Sequence, residues 1–363
     1  MGGINHSLKL CTLAVTALLS GCSTLGYYGQ AVGGHLDLMQ RSRPVADWLA
    51  DDSTPPALRE RLRLSQQMRD FAVTELKLPD NRSYRRYADL GREAVVWNVV
   101  AAPELGLTLK TWCFPLMGCV GYRGTFERGP SDALAAELQQ QGWETRVYGV
   151  PAYSTLGWTN WLGGDPLLNT FVKWAAPDLA RLIFHELAHQ VVYVSDDTTF
   201  NESFATAVER LGGQRWLAQH ASAAQRQADT LQAQRREDFR ALTARTRAAL
   251  LAVYESSDSD AAKRLRKARV MAQMRTDFAA LKAGPWQGHA GYDAWVAAAN
   301  NASFAVQAAY NAQVPAFEAL FHREGGDFPR FYAAVKQLAA LPRAERNARL
   351  QGLAAASSPP ASE

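Results

Sequence analysis

Short runs of β-branched and aromatic residues in the first half of the chain predict a small sheet. Residues 94–100 read Ala-Val-Val-Trp-Asn-Val-Val, a composition typical of a buried strand. Apolar residues at 107–111 and 146–150 predict a second and a third strand. Between these two, residues 131–141 have the apolar spacing of a helix, and we expect Ser131 to cap it.

Apolar residues three, four and seven positions apart predict helices over most of the remaining chain. Residues 44–81 and 292–340 show this spacing. One helix in the middle of the chain is expected to end at Gly212-Gly213. The long stretch that follows is broken by the polar residues 256–260, which indicates an antiparallel helical hairpin. Together with the small sheet, the pattern predicts a predominantly helical α+β fold.

The sequence divides into a leader, one folded domain and a tail. Residues 1–21 form the leader, and residues 351–363, rich in Ala, Ser and Pro, are predicted to be disordered. We assign residues 22–350 to a single domain. Its parts are an N-terminal helical part, a part of sheet and loops, a central pair of helices and a helical C-terminal part, which cover residues 22–90, 91–175, 176–215 and 220–345.

The leader has the pattern of an export signal. Its apolar run, residues 10–19, is too short to cross a bilayer as a helix but fits the core of a signal peptide. The following Leu19-Ser20-Gly21-Cys22 resembles a bacterial lipobox, in which the cysteine is lipidated and becomes the first mature residue. We therefore predict a lipid anchor on Cys22. A plain signal peptide with an incidental cysteine is the alternative.

The cysteines fit an oxidising compartment. Of the four, Cys11 would leave with the leader and Cys22 would carry the lipid, so Cys113 and Cys119 remain. These two flank a short turn containing Pro and Gly, and we predict a disulfide between them, with two buried free thiols as the alternative. Ser23 follows the lipobox cysteine, and the absence of Asp there is typical of export to the outer membrane, facing the periplasm.

Composition excludes several classes of protein. Hydrophobic residues make up 47% and charged residues 20% of the 363 residues, which is the composition of a globular protein. The net charge of +4 is small and the arginines are scattered, so no nucleic-acid partner is expected. No apolar run of about 18 residues follows the leader, which excludes a polytopic membrane protein.

One motif carries candidate chemistry, His185-Glu186-Leu187-Ala188-His189, within a strongly apolar segment. Positions four apart lie on one face of a helix, so both imidazoles can bind the same metal ion. Glu186 lies one position round the helix, where it can act as general base on a water molecule held by that ion. Asp178 is predicted to cap this helix. Two buried histidines satisfied by hydrogen bonds are the alternative interpretation.

A third ligand is predicted on the following helix. Glu202 comes thirteen residues after His189, beyond a polar turn, in an apolar setting where an unpaired carboxylate would be costly. Two histidines and one glutamate leave one position of a zinc ion open, as in catalytic sites. Asp196, Asp197 and Glu209 are the other candidate ligands. Glu209 lies on the same helix face as Glu202 and is predicted to support the metal ligands from behind.

Several segments resemble a family of bacterial lipoproteins predicted to be zinc-dependent aminopeptidases. The resemblance is carried by His-Glu-Leu-Ala-His-Gln (185–190), Phe-Asn-Glu-Ser-Phe-Ala-Thr (200–206), Trp-Cys-Phe-Pro (112–115), Tyr-Arg-Gly (122–124), Ala-Tyr-Ser-Thr-Leu-Gly-Trp (152–158), Asp-Pro-Leu-Leu (165–168), Asn-Asn-Ala (300–302) and Val-Pro-Ala-Phe-Glu (314–318). The chain also resembles the wider group of gluzincin-like peptidases, in which two His and one Glu bind zinc. Many of those carry Asp where this chain has Thr206. The resemblance implies a zincin-like catalytic core, one zinc ion per chain and peptide substrates.

The reaction that follows is hydrolysis of peptide bonds. Glu186 would take a proton from the attacking water and deliver it to the leaving amine. The tetrahedral oxyanion needs a hydrogen-bond donor besides the metal, and Tyr153, Tyr193 and Tyr310 are candidates. Tyr153 and Tyr310 rank first because they lie in segments that resemble the family.

An aminopeptidase also needs an anionic group for the free amine of its substrate. Asp165 and Glu127 are candidates for this anchor. Two alternatives to an aminopeptidase stay open. One is an endopeptidase of envelope proteins. The other is a non-catalytic envelope lipoprotein in which zinc braces the fold and the helical hairpin binds a partner.

Overall fold

The computed structural model describes residues 33–114, 118–152 and 163–357. The predicted leader, Cys22 and Tyr153 lie outside these residues, and so does the end of the predicted tail. Within them the protein has the predominantly helical α+β fold that the sequence predicted.

Helices form most of the described chain. The first, α1, is described over residues 33–41. The others among the described residues are α2 (Val45–Ala50), α3 (Pro56–Thr74), α4 (Arg128–Gln140), α5 (Ala176–Ala188), α6 (Thr198–His220), α7 (Ala223–Tyr254), α8 (Asp260–Ala283), α9 (Asp293–Ala297), α10 (Asn301–Asn311), α11 (Val314–Arg323), α12 (Phe328–Ala339) and α13 (Arg343–Ser357). None of these helices is long and apolar enough to span a bilayer.

The described strands form three small sheets. They are β1 (Arg43–Pro44), β2 (Arg86–Ala88), β3 (Val96–Pro103), β4 (Trp112–Phe114), β5 (Gly118–Val120), β6 (Arg123–Thr125), β7 (Trp143–Val150) and β8 (Leu167–Leu168). The sheet orders are β1-β2-β8, β6-β3-β7 and β4-β5, and the second sheet is antiparallel throughout. β3 and β7 confirm the strands predicted at 94–100 and 146–150.

Residues 107–111 are not the strand that the sequence predicted. One ladder-like hydrogen bond, from Lys110 N to Ala101 O at 2.8 Å, joins this segment to β3. Leu107 packs into the core of the helical hairpin, whereas Leu109 packs on the face of the β6-β3-β7 sheet. The two leucines pack into separate hydrophobic clusters. The apolar and polar residues of this segment therefore alternate as in a strand, although the segment does not pair as one.

The helix predicted over 131–141 is α4, which begins earlier, at Arg128. Ser131 therefore lies inside α4 and does not cap it. Its hydroxyl donates to Trp97 O at 2.9 Å and lies 2.7 Å from Thr125 Oγ1. Ser131 thus ties α4 to β3 and β6, a tertiary role that sequence spacing alone does not reveal.

The main hydrophobic core surrounds α5 and α6. Phe184 of α5 stacks on Phe71 of α3 at a centroid distance of 5.9 Å. Phe204 of α6 lies 5.8 Å from Phe317 of α11 and 5.9 Å from Phe331 of α12. Fully burying such a side chain contributes roughly 1.5–3 kcal/mol, so this packing holds α5 against α3 and α6 against α11 and α12.

α6 continues through Gly212 and Gly213, where the sequence predicted its end. A Cβ on Gly212 would lie 2.6 Å from a methyl of Leu76 and 3.0 Å from the ring of Phe184. A Cβ on Gly213 would lie 2.8 Å from Arg181 Cγ. The two glycines therefore serve the close approach of α6 to its neighbours, and tertiary packing overrides their tendency to end a helix.

The predicted helical hairpin is confirmed as α7 and α8. Ser222 caps α7 by accepting a hydrogen bond from Gln225 N at 3.2 Å, and Ser259 caps α8. The facing sides of the two helices enclose a second hydrophobic core with Phe278 and Trp286, whose rings are 5.8 Å apart.

An ion-pair cluster joins this hairpin to α5. Arg181 of α5 is largely buried and donates two hydrogen bonds of 2.7 Å to the two oxygens of Asp229 on α7. Arg236, also on α7, lies 3.5 Å from Asp178 of α5. The hairpin is therefore anchored to the helix that carries the predicted metal ligands.

The sequence predicted disorder from residue 351 onward, but residues 351–357 are helical. α13 extends through Ser357, with Leu350 fully buried and Leu353 packed against the main core. Leu and Ala are strong helix formers, so this apolar contact extends the helix into the Ala-rich stretch. Residues 358–363 lie outside the described part of the chain.

Candidate metal centre

α5 carries two of the predicted metal ligands and the predicted base. It begins at Ala176, before the predicted cap Asp178, because a proline in the first turn needs no partner for its nitrogen. His185 and Glu186 lie in its last turn. His189 takes the capping position and keeps helical dihedral angles, φ −58° and ψ −23°. The two imidazole centroids are 5.0 Å apart, as expected for positions four apart on one face.

Hydrogen bonds define the turn between α5 and α6. The side-chain amide of Asn201 donates to Val194 O at 2.7 Å and accepts from Val194 N at 2.8 Å. Asn201 is 2% exposed and lies in the first turn of α6. Because this pair closes the turn onto α6, the next residue, Glu202, is brought back towards the histidines.

The other two carboxylates of this turn have partners of their own. Asp197 caps α6 and lies 2.6 Å from the buried guanidinium of Arg346. Asp196 adopts a left-handed φ of +62° and accepts a hydrogen bond from Cys119 N at 2.7 Å. Among the described residues, neither belongs to the group of donors around His185, so both rivals to Glu202 are placed elsewhere.

Cys119 lies in the β4–β5 hairpin, where it is the register partner of Cys113 and is joined to it by a disulfide. Gly118 has a φ of +72°, and a Cβ there would lie 2.2 Å from Asp196 Oδ1. Only glycine permits this approach. The disulfide that the sequence predicted therefore closes a hairpin whose backbone contacts the turn between the ligand helices.

His185, His189 and Glu202 bring three donor atoms within 4.8 Å of one another. Glu202 Oε2 lies 3.4 Å from His185 Nε2 and 3.7 Å from His189 Nε2. Ligands about 2.0–2.1 Å from a tetrahedral zinc ion are about 3.3 Å from one another. The observed separations exceed an ordinary hydrogen bond and lie near this value, so the donor set fits a zinc ion.

Glu209 supports His185 from behind. Its Oε2 lies 3.1 Å from His185 Nδ1, whereas Glu202 approaches the other ring nitrogen, Nε2. A carboxylate there fixes the proton on Nδ1 and leaves the Nε2 lone pair free for a metal. His189 differs, because its buried Nδ1 meets no hydrogen-bond partner among the described residues. The contact with His185 is compatible with the supporting role predicted for Glu209, which stays a prediction.

Several carboxylates at the centre are shielded from water to different degrees. Burial raises the pKa of Glu186 to about 7, and the charges of Glu202, Asp165 and Glu209 act in the same direction. Burial lowers the pKa of His189 to about 4, which keeps its imidazole neutral and able to bind a metal. A divalent cation between these groups would offset the excess of negative charge.

The candidate oxyanion donors are only partly described. Tyr153 and the side chain of Tyr310, on α10, lie outside the description. Tyr193 is 43% exposed, and its pKa is raised by burial and by the charge of Glu202. The structure adds Tyr148 of β7, whose buried hydroxyl also feels the charge of Glu202. Sequence reasoning missed Tyr148 because it lies on a strand far from the motif.

The two candidate amine anchors lie in different surroundings. Asp165 is 2% exposed and close enough to Glu186 to raise the pKa of that carboxyl. Glu127 is exposed at the N-terminal end of α4, which packs on β3, β6 and β7. Of the two, Asp165 is the one whose charge acts on the pKa of Glu186.

The fold and the donor set define a helical α+β protein with a candidate metal centre on two packed helices. Residues 26–350 match the model of a family described as "Putative aminopeptidase". The match covers most of the chain, so the protein belongs to this family. No curated protein and no solved structure matches the chain.

Replacing Glu209 by Gln is expected to weaken zinc binding about 10- to 100-fold, because an amide holds the His185 proton less firmly than a carboxylate does. Competition with a chromophoric chelator measures the affinity. Glu318→Gln, which removes a carboxylate 3.5 Å from Arg210, is the matched control and should keep the parent affinity. Equal zinc affinity of Glu209→Gln and the parent would contradict the supporting role.

Proposed function

We propose that this member of the aminopeptidase family is a zinc-dependent aminopeptidase of the bacterial cell envelope. One observation carries the proposal. His185, His189 and Glu202 form an N,N,O donor set with zinc-like separations, in which His189 is buried and the other two residues are partly buried, and Glu186 lies on the same helix as the two histidines. Three protein ligands leave a zinc ion one open position, which is the arrangement of catalytic sites.

The chain's own residues supply the binding and the proton transfer. Zinc, when bound, contributes Lewis acidity that activates a water molecule and polarises the scissile carbonyl. Glu186 accepts the proton of that water at its carboxylate and returns it to the nitrogen of the leaving amine. A carboxyl with a pKa raised to about 7 by burial is suited to take and release a proton near neutral pH.

Recognition of a free amine distinguishes an aminopeptidase from an endopeptidase. The amine is cationic at neutral pH, and Asp165 is a buried carboxylate whose charge raises the pKa of Glu186. An ammonium group held near Asp165 would bring the first peptide bond of the substrate to the metal centre. This favours trimming from the amino terminus over cleavage inside a chain.

Digestion of a peptide library by the zinc-loaded protein tests the proposal. Each peptide is supplied with a free and with an acetylated amino terminus, and mass spectrometry identifies the products. We expect single residues to be released from the free peptides and not from the acetylated ones, with chelator-treated protein as the control. Internal cuts in both sets would indicate an endopeptidase. Tight zinc binding without any cut would indicate a zinc-braced binding protein and overturn the proposal.

The location in the envelope has its own test. We infer from the lipobox-like sequence that Cys22 carries a lipid anchor, in the outer membrane and facing the periplasm. In a bacterial host with two membranes, Cys22→Ser should lose labelling by a palmitate analogue and leave the membrane fraction. Cys11→Ser is the matched control within the leader and should keep both. A Cys22→Ser protein that is still labelled and membrane-bound would contradict the anchor.

A further inference from the structure

We propose that the Cys113–Cys119 disulfide is a redox-sensitive device that sets the metal affinity of the candidate centre through the turn between α5 and α6. The closed disulfide holds the β4–β5 hairpin against Asp196 in that turn. When a dithiol reductant opens it, the turn is released and Glu202, which follows the turn, is held less firmly. The inference rests on the proposed function, since it assigns regulation to the same metal centre.

The β4–β5 hairpin is anchored in the fold at its base. Trp112 and Val120 are the register partners there. Val120 is 6% exposed, and Trp112 packs against the hydrophobic cluster that β3 forms with α4. Burial of these two side chains ties the base of the hairpin to the β6-β3-β7 sheet and the helix that covers it.

The disulfide lies one register pair further out. Cys113 and Cys119 form this pair, so the covalent bridge stands between the anchored base and the outer end of the hairpin. Among the described residues, β4 and β5 pair only with each other, over three residues each. An isolated two-stranded hairpin is marginally stable at best in water. The bridge is therefore what fixes the outer end relative to the base.

The outer end of the hairpin contacts the turn between the ligand helices. Cys119 N donates to Asp196 Oδ1 at 2.7 Å, and a Cβ on Gly118 would collide with the same oxygen. Asp196 has a left-handed φ of +62°, which is uncommon for a residue other than glycine and persists where the surroundings impose it. The hairpin supplies one of the contacts that hold Asp196 in this conformation.

The turn is held from two sides, and only one of them depends on the disulfide. On the other side, α13 contributes Arg343, which donates to Asp196 O at 3.3 Å, and Arg346, which donates to Asp197 Oδ2 at 2.6 Å. Asp197 caps α6, the helix that carries Glu202. With α13 still in place, opening the bridge should loosen the position of Glu202 without unfolding α6. We therefore expect a moderate loss of metal affinity.

The chemistry of the switch is thiol–disulfide exchange. Cys113 and Cys119 are both exposed, so a reductant can reach the bridge, and exposed disulfides are among those that exchange readily. A thiolate of a dithiol reductant attacks one sulfur and forms a mixed disulfide, which the second thiol of the reductant then resolves. Two electrons and two protons pass to the protein. The two cysteines become thiols, and the reductant becomes a disulfide.

Zinc affinity, measured by competition with a chelator, tests the inference. Reduction of the parent with a phosphine, which brings no thiol of its own, should weaken zinc binding about five- to tenfold. The double substitution Cys113→Ser and Cys119→Ser removes the bridge and leaves no thiol there that could bind zinc. Its affinity should match that of the reduced parent, with and without the phosphine. Equal affinity of the oxidised and the reduced parent would overturn the inference.

Two substitutions of Asp196 show whether the effect passes through this contact. Asp196→Gly removes the acceptor for Cys119 N and keeps a left-handed backbone without strain. Its zinc affinity should be lowered already in the oxidised form and should no longer respond to reduction. Asp196→Asn is the matched control, because its amide oxygen can accept the same hydrogen bond and asparagine tolerates a left-handed φ. It should respond as the parent does. A full response in Asp196→Gly would contradict the inference.

A readout in the metal-free protein separates this inference from the proposed function. Hydrogen exchange of the amides of residues 196–202 should be about fivefold faster in the reduced form. Amides of residues 239–250, which contribute to the core of the α7–α8 hairpin, are the control and should be unchanged. If neither form binds zinc, the proposed function and this inference fail together. If zinc binds but exchange in residues 196–202 ignores the redox state, this inference alone fails.

Discussion

Glu186→Gln is expected to keep the zinc content of the protein and to reduce kcat for peptide cleavage by about 10² to 10⁴, the range that loss of a general acid or base produces. Gln has nearly the same shape as Glu, so the packing in the last turn of α5 should be preserved. Its amide cannot take a proton from water, and therefore the step that Glu186 performs is lost while binding of metal and substrate remains.

Measurement of zinc by elemental analysis and of cleavage by product formation separates these two effects. Because burial, together with the charges of neighbouring carboxylates, raises the pKa of Glu186 to about 7, a neutral side chain suits this position, and the thermal stability of the variant should equal or exceed that of the parent. Glu137→Gln makes the same chemical change on the exposed face of α4 and is the matched control, which should keep the parent rate. Cleavage by Glu186→Gln at the parent rate would show that another group is the base.

Glu202→Gln is expected to act through the metal. It removes the anionic ligand of the three, and the loss in zinc affinity should exceed the roughly 10- to 100-fold loss expected for an outer partner such as Glu209. Activity should fall in parallel and return in part when zinc is in excess. In the metal-free protein the variant should be less stable than the parent at neutral pH, because His189 and His185, against the effect of burial, hold the pKa of the Glu202 carboxyl below its ordinary value and the folded state therefore favours the ionised form.

A ranking makes this prediction sharp. Zinc affinity should decrease in the order parent, Glu209→Gln, Glu202→Gln, whereas Glu186→Gln should stay with the parent. Chelator competition on all four proteins gives the order in a single series. If Glu202→Gln binds zinc as tightly as the parent does, Glu202 is not a ligand, and the donor geometry around His185 and His189 needs another explanation.

The local part of the centre could be predicted from sequence, because it depends on helix periodicity. Four residues separate His185 from His189, and this spacing alone places both rings on one side of α5. The choice of Glu202 came from its apolar neighbours. Its rivals Asp196 and Asp197 could be excluded only once the structure showed their bonds to distant parts of the chain.

Features that depend on contacts between distant parts of the chain could not be predicted, because residue type and local spacing do not reveal those contacts. Gly212 is a helix terminator by local preference, and only the packing of Leu76 and Phe184 shows that it serves close contact instead. The left-handed φ at Tyr84 could not be predicted either, because the position is not occupied by glycine or asparagine, the residues that usually adopt it. Ser131 likewise has the residue type of a cap but bonds to a neighbouring strand.

The three donor residues are close neighbours in the sequence, whereas the hydrogen bonds that hold the segments around them join residues far apart in the sequence. Gln190 is held by residues 109 and 107 positions earlier, and Asp197 by Arg346, 149 positions later. Such long-range contacts form late in folding, after the intervening loops have closed. A nascent or truncated chain would therefore contain all three donor residues without the long-range hydrogen bonds that position them. If the centre binds zinc as proposed, tight binding would then require a completely folded chain, and the compartment in which folding finishes would determine which metal ions the protein meets.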